Sequence, residues 1–93
     1  MAIKVKFYST LKLALKSAGI EYEPETFLTI KQLLKRLDED FDNRVSYKLL
    51  VEGKIDTGTI ILVNGHNVLH REGLDTEVKD GDEIAIFPPS AGG

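Results

Sequence analysis

The residues with the clearest chemical meaning are the last ones. After Phe87 the chain reads Pro88-Pro89-Ser90-Ala91-Gly92-Gly93 and stops. The two prolines fix φ and stiffen the base of this segment. Ser90, Ala91, Gly92 and Gly93 carry almost no side chain. Six extended residues at roughly 3.1–3.3 Å each reach about 19 Å, so the sequence builds a narrow arm whose tip fits a slot closed to bulkier residues. The tip is a carboxylate, a poor electrophile until a second protein converts it with ATP to an acyl-adenylate. A sulfur donor can turn that mixed anhydride into a thiocarboxylate, a tethered sulfur nucleophile comparable with a thiolate. Glycine suits the tip because the backbone must approach a nucleotide closely and adopt φ values that other residues avoid. For a bare Gly-Gly ending, a frayed, functionless tail would be the better reading. A strand that runs straight into Pro-Pro and then only small residues is hard to explain by packing.

Other chemistries are narrowed by composition. There is no cysteine, which removes disulfides, thiolate metal ligation and a cysteine nucleophile at once. His66 and His70 are four apart, yet Gly65 and the apolar pattern around them argue against a helix that could aim both at a metal, and no metal site is expected. A net charge of -3 matches nucleic-acid binding poorly. No apolar run approaches the roughly 18 residues of a membrane span, and the alternating start from Met1 to Phe7 is not a signal peptide, so a cytoplasmic location is expected. Charge is unevenly spread. Lys4, Lys6, Lys12 and Lys16 stand unopposed in residues 1–20, whereas residues 72–83 carry Glu72, Asp75, Glu77, Asp80, Asp82 and Glu83 against Lys79 alone. That acidic run is either a set of solvated turns or an approach surface beside the tail that steers a basic partner.

At 93 residues the chain has room for one core. Ile3, Val5 and Phe7 alternate with Lys4, Lys6 and Tyr8 as a half-buried strand. Ser9 or Thr10 is expected to cap a short helix with Leu11, Ala14, Leu15 and Ala18 on one stripe, ended by Gly19. Residues 20–27 suggest an edge strand, because Pro24 removes a ladder donor. Thr29 and Gln32 have capping-box spacing, Leu28 and Leu33 form a hydrophobic staple, and Ile30, Leu33, Leu34, Leu37 and Phe41 mark one helix face. Asp38, Glu39, Asp40 and Asp42 oppose the dipole at its C-terminal end, which predicts fraying near Phe41. Val45 and Leu49 suggest a short helix, and Ile60 to Val63 a strand ended by Asn64-Gly65. Val68-Leu69 suggests a brief returning strand, Leu74 a plug under a loop, and Glu83 to Phe87 the last strand after the Asp80-Gly81 turn. One amphipathic helix on a mixed sheet is an α+β design. The expected organisation is a domain over residues 1–87 and a flexible tail over 88–93.

The closing segment from Lys79 to Gly93 resembles, almost residue for residue, the end of the MoaD family, the small sulfur-carrier subunits of molybdopterin synthase in the ubiquitin-like β-grasp superfamily, related to ThiS. Ile60 to Gly65, Ile3 to Tyr8 and the Thr29 helix resemble the family's apolar strand, first strand and main helix, and Ser90 departs from its usual valine. The resemblance implies a β-grasp fold with the last strand beside the first, and adenylation of Gly93 by an MoeB-like, ubiquitin-activating-like adenylyltransferase that uses ATP and magnesium. It also implies a sulfur donor, insertion of the tail (Pro88, Pro89, Ser90, Ala91, Gly92) into an MoaE-like large subunit, and dithiolene formation there. The chain itself would bind no cofactor and catalyse nothing alone. If Ile3, Val5, Phe7, Ile84 and Ile86 face the helix, Tyr8, Ala85 and Phe87 face outward, and Tyr8 and Phe87 become candidate docking residues. Rival expectations are a carrier for another product such as the thiamine thiazole, a ubiquitin-like modifier joined to lysines through Gly93, and an interaction domain with an inert tail.

Overall fold

The computed structural model describes residues 2–23 and 28–89. Pro24 to Phe27, and Ser90, Ala91, Gly92 and Gly93, lie outside the described residues. The chain begins with strand β1 (Ile3–Phe7), in which Ile3, Val5 and Phe7 are buried and Lys4 and Lys6 are not, as the alternation dictates. Helix α1 (Ser9–Leu15) follows at once. Neither Ser9 nor Thr10 caps it. The N-cap is Tyr8, whose extended backbone continues the ladder by donating its N–H to the Ile86 carbonyl at 3.1 Å, leaving no room for a separate capping residue. Leu11 and Leu15 are buried, whereas Ala18 is exposed.

The helix ends at Lys16, which takes the left-handed conformation with φ 54°, three residues before the glycine expected to end it. Gly19 serves the sheet instead. It opens strand β2 (Gly19–Tyr22), antiparallel to β1 and opposite Lys6, where a Cβ would lie 2.3 Å from the Val5 carbonyl oxygen. Only glycine permits that approach. Strand β2 is at an edge of its sheet, as expected for residues 20–22.

After the short strand β3 (Leu28–Thr29) comes the main helix α2 (Ile30–Asp40). Its capping box is complete. Gln32 N–H donates to Thr29 Oγ1 at 3.2 Å, and Thr29 N–H to Gln32 Oε1 at 2.9 Å. Ile30, Leu33, Leu34 and Leu37 form the buried face, and Phe41 at the C-cap meets Phe7 edge to face with ring centroids 5.4 Å apart. The helix ends where the sequence places its end, with Phe41 as the C-cap, and two of the carboxylates there have local donors. Asp38 Oδ1 accepts the N–H groups of Val45 and Ser46 at 3.0 and 2.9 Å, and Asp40 accepts the Tyr22 hydroxyl. Those first two bonds launch helix α3 (Ser46–Leu49).

Strands β4 (Leu50–Val51) and β5 (Lys54–Ile55) make a small hairpin. Strand β6 (Ile60–Val63) turns through Asn64 and Gly65, both at positive φ of 51° and 85°, into β7 (His66–Asn67). This turn pair is typical of tight hairpins. The returning strand is therefore His66–Asn67, and Val68–His70 is a 3-10 turn started by Asn67, whose side chain accepts the Leu69 N–H at 2.9 Å. A second 3-10 turn, Gly73–Asp75, holds Leu74 against the core. Strand β8 (Glu77–Val78) pairs with β3, and β9 (Glu83–Phe87) closes the fold. The main sheet has the order β2-β1-β9-β6-β7, and β9 lies parallel to β1 and antiparallel to β6. Helix α2 covers its inner face, where Ile61, Ile84 and Ile86 join the β1 residues in the core. No helix among the described residues is long and apolar enough to cross a membrane.

Candidate functional site

Parallel pairing of β9 with β1 carries the chain toward its end beside Tyr8. Residues facing each other across the ladders share a side of the sheet. Val5 opposite Ile84 and Phe7 opposite Ile86 point inward and are buried, so Tyr8, Ala85 and Phe87 belong to the outer side. The Tyr8 and Phe87 rings stack there, centroids 4.5 Å apart and planes 10° from parallel. Tyr8 is 36% exposed and Phe87 half-buried.

Sequence reasoning missed two members of this face. Ile60 stands opposite Phe87 and Leu62 opposite Ala85, so a row of apolar groups crosses from Tyr8 to β6, with Ile60 41% exposed. The signal was present in residues 60–63: a strand apolar on both sides, at which only one side can meet α2, must present apolar groups outward. Aromatic and aliphatic groups in a contiguous patch beside a polar rim are what partner surfaces carry.

The rim is charged. Lys6 Nζ lies 2.8 Å from Glu83 Oε1, with both side chains half exposed. The hydrogen bond and then the charge of Lys6 hold the Glu83 carboxyl below the usual carboxylate range, and Glu83 in turn raises Lys6. The basic start and the acidic end of the sequence thus partly neutralise each other across the β1–β9 ladder. Asp82 also drops out of the expected acidic approach surface. It is buried, accepts the Asn64 side-chain amide and the Lys79 N–H at 2.9 Å each, and locks the turn before β9. Glu72, Asp75, Glu77 and Asp80 remain exposed.

Pro88 and Pro89 were expected to stand with the tail. Instead Pro88 is buried and Pro89 half-buried, because the end of β9 continues over the loop before β6. Ser90, Ala91, Gly92 and Gly93, the rest of the expected insertion segment with its reactive tip, lie outside the described residues. His66 and His70 fall on a strand and a 3-10 turn, and no group of three potential metal ligands occurs among the described residues.

A mixed sheet wrapped on one main helix, with the last strand central and parallel to the first, is the ubiquitin-like β-grasp arrangement of small carrier and modifier proteins. This chain belongs to the ThiS family, whose profile matches residues 5–93. It is 38% identical to a candidate sulfur carrier protein of Archaeoglobus fulgidus and 28% identical to small archaeal modifier protein 3 of Haloferax volcanii, each match covering 100% of both chains. Among solved structures it is similar to a chain of the BexX/CysO complex of Amycolatopsis orientalis, at 26% identity and a TM-score of 0.83 over 99% of this chain and 100% of that one.

Proposed function

We propose that this chain is the sulfur-carrying small subunit of a molybdopterin synthase, acting through Gly93. The sulfur-carrier part of the reading is carried by the family match that runs through Gly93 itself. The molybdopterin acceptor rests on the resemblance of Lys79 to Gly93 to the MoaD closing segment. The exposed Tyr8–Phe87 face at the base of the tail supports docking of larger partners. An oxygen of the Gly93 carboxylate attacks the α-phosphorus of ATP on an adenylyltransferase, pyrophosphate leaves, and AMP becomes the leaving group on the acyl carbon. Sulfur at the sulfide level, delivered by a donor protein, attacks that carbon and expels AMP, which forms the thiocarboxylate. The tail then enters the large subunit. There the sulfur attacks an electrophilic carbon of the pyranopterin precursor and displaces its oxygen substituent, and water cleaves the acyl–sulfur bond to restore the carboxylate. A second charged chain delivers the other sulfur of the dithiolene in the same way. ATP, magnesium and the catalytic side chains belong to the partners. The test is reconstitution: thiocarboxylated chain, large subunit and precursor are expected to yield one dithiolene for every two thiocarboxylates consumed. No product with a competent large subunit contradicts this acceptor.

A second reading is favoured by the end-to-end similarity to a small archaeal modifier protein. A target lysine amine attacking the same acyl-adenylate would give an isopeptide through Gly93. Gel-shifted species that survive reductant and vanish when Gly93 is deleted would support it.

A further inference from the structure

Three consecutive residues at the end of the sheet are held in place. Phe87 is stacked on Tyr8, Pro88 is buried, and Pro89 lies over Gly58. The ground under Pro89 is a tight turn, residues 56–59, closed by the Thr59 N–H donating to the Asp56 carbonyl at 3.0 Å. Gly58 takes its third position at φ +94°, a value that favours glycine there. The turn is itself tied to the core. The Leu49 carbonyl accepts both the Asp56 N–H and the Thr59 hydroxyl at 2.9 Å, and Thr59 is buried. A Cβ built on Gly58 would lie 3.6 Å from Pro89 Cβ and 3.7 Å from its Cα. The space alone would admit a methyl group, but at this φ any side chain strains the backbone, and a longer one would also compete with Pro89 for the same space.

We infer that Gly58 and Pro89 fix the point at which the tail leaves the domain and thereby set its working length. Measured from Pro89, the four residues to Gly93 span at most about 13 Å fully extended, against about 19 Å for six residues starting after Phe87. The docking face and the tail's origin are then parts of one rigid unit. A partner that grips Tyr8 and Phe87 also knows, within that shorter radius, where Gly93 must be. Fixing the origin reduces the conformational freedom lost when the tip is placed for reaction. Gly58 and Pro89 touch no reacting atom, so they are positioning residues. The functional consequence rests on the carrier reading above, whereas the contact does not.

The test has two arms. In the isolated chain, NMR cross-peaks between Gly58 Hα and the Pro89 ring protons are expected; their absence overturns the anchor whatever the chain does. In adenylation assays with the activating enzyme, deletion of Ala91 shortens the reach by one residue and is expected to lower kcat by about 100-fold or more, with KM little changed. Adding Pro89→Gly, which releases one residue at the root, is expected to restore most of that loss. Gly58→Gln, which crowds Pro89, should do the same in a chain that still carries the proline. A deletion defect that neither substitution relieves overturns the length-setting role. A wild-type chain that its adenylating partner never activates overturns the carrier reading and with it the role of the anchor in activation, and the NMR arm still decides the contact.

Discussion

Tyr22 joins the edge of the sheet to the end of the main helix. Its ring is buried under the Arg36 guanidinium, 4.7 Å from the centroid, and its hydroxyl donates to Asp40. Burial first, and then the hydrogen bond to the Asp40 carboxylate, push the phenol well above its ordinary value of 10.0. Because the folded pKa is raised, the contribution of this hydroxyl to stability is complete below pH 10.0 and is lost as pH rises past it toward the folded value. Tyr22→Phe is expected to cost about 1–2 kcal/mol in urea unfolding at pH 7, with the gap to wild type narrowing above the ordinary phenol pKa. A gap that stays constant into alkali would show that the hydroxyl is not the group responsible. At this scale the sequence was most legible where a residue type has one dominant use. Thr29 and Gln32 cap α2 as their spacing predicts, and Asn64-Gly65 makes the tight turn. Gly19 was misread because its reason, the Val5 carbonyl across the ladder, comes from a strand far away in sequence terms. The same holds for Asp82, whose partner Asn64 lies 18 residues off.

Elements whose period matches their burial were legible from the chain alone. Strands β1 and β9 alternate, and α2 buries Ile30, Leu33, Leu34 and Leu37 along one face. The two-residue strands β3, β4, β5, β7 and β8 offer too few positions for any period to show, and they exist because of what they pair with. Helix α3 is similar. At four residues it cannot hold itself, and it depends on Asp38 to accept the Val45 and Ser46 N–H groups. Asp38→Ala leaves those donors, one of them on the fully buried Val45, without their acceptor. We expect a loss of about 1–3 kcal/mol in chemical denaturation, with hydrogen-exchange protection over Ser46–Leu49 falling first. Unchanged stability and exchange would mean that α3 is held by packing of Leu49 instead.

For the molecule as a whole, the sheet divides the work. Its inner side holds α2 and the core, while its outer side carries Tyr8, Ile60, Leu62, Ala85 and Phe87 next to the root of the tail. Replacing Phe87 by Arg puts a charge into that row without touching the inner side. Thermal stability is expected to change little, while affinity for the adenylating partner falls about tenfold or more in calorimetry or surface binding. Unaltered affinity would place the docking face elsewhere. That the last strand lies beside the first was implied by the family resemblance of the closing segment, but the packing of Pro88 and Pro89 was not. Prolines after a strand read as the start of an extended arm, whereas Pro88 is buried and Pro89 lies over the turn at Gly58. The chemistry at Gly93 is tested most directly by the mass of the C-terminal peptide from a chain purified with its native activating enzyme and sulfur source. Sulfur carriage predicts the mass gain of one sulfur replacing one oxygen, located at Gly93 and distinguished from oxidation of Met1 by a thiocarboxylate-selective reagent. An unmodified Gly93 under those conditions, with the activating enzyme shown to be competent, would contradict it.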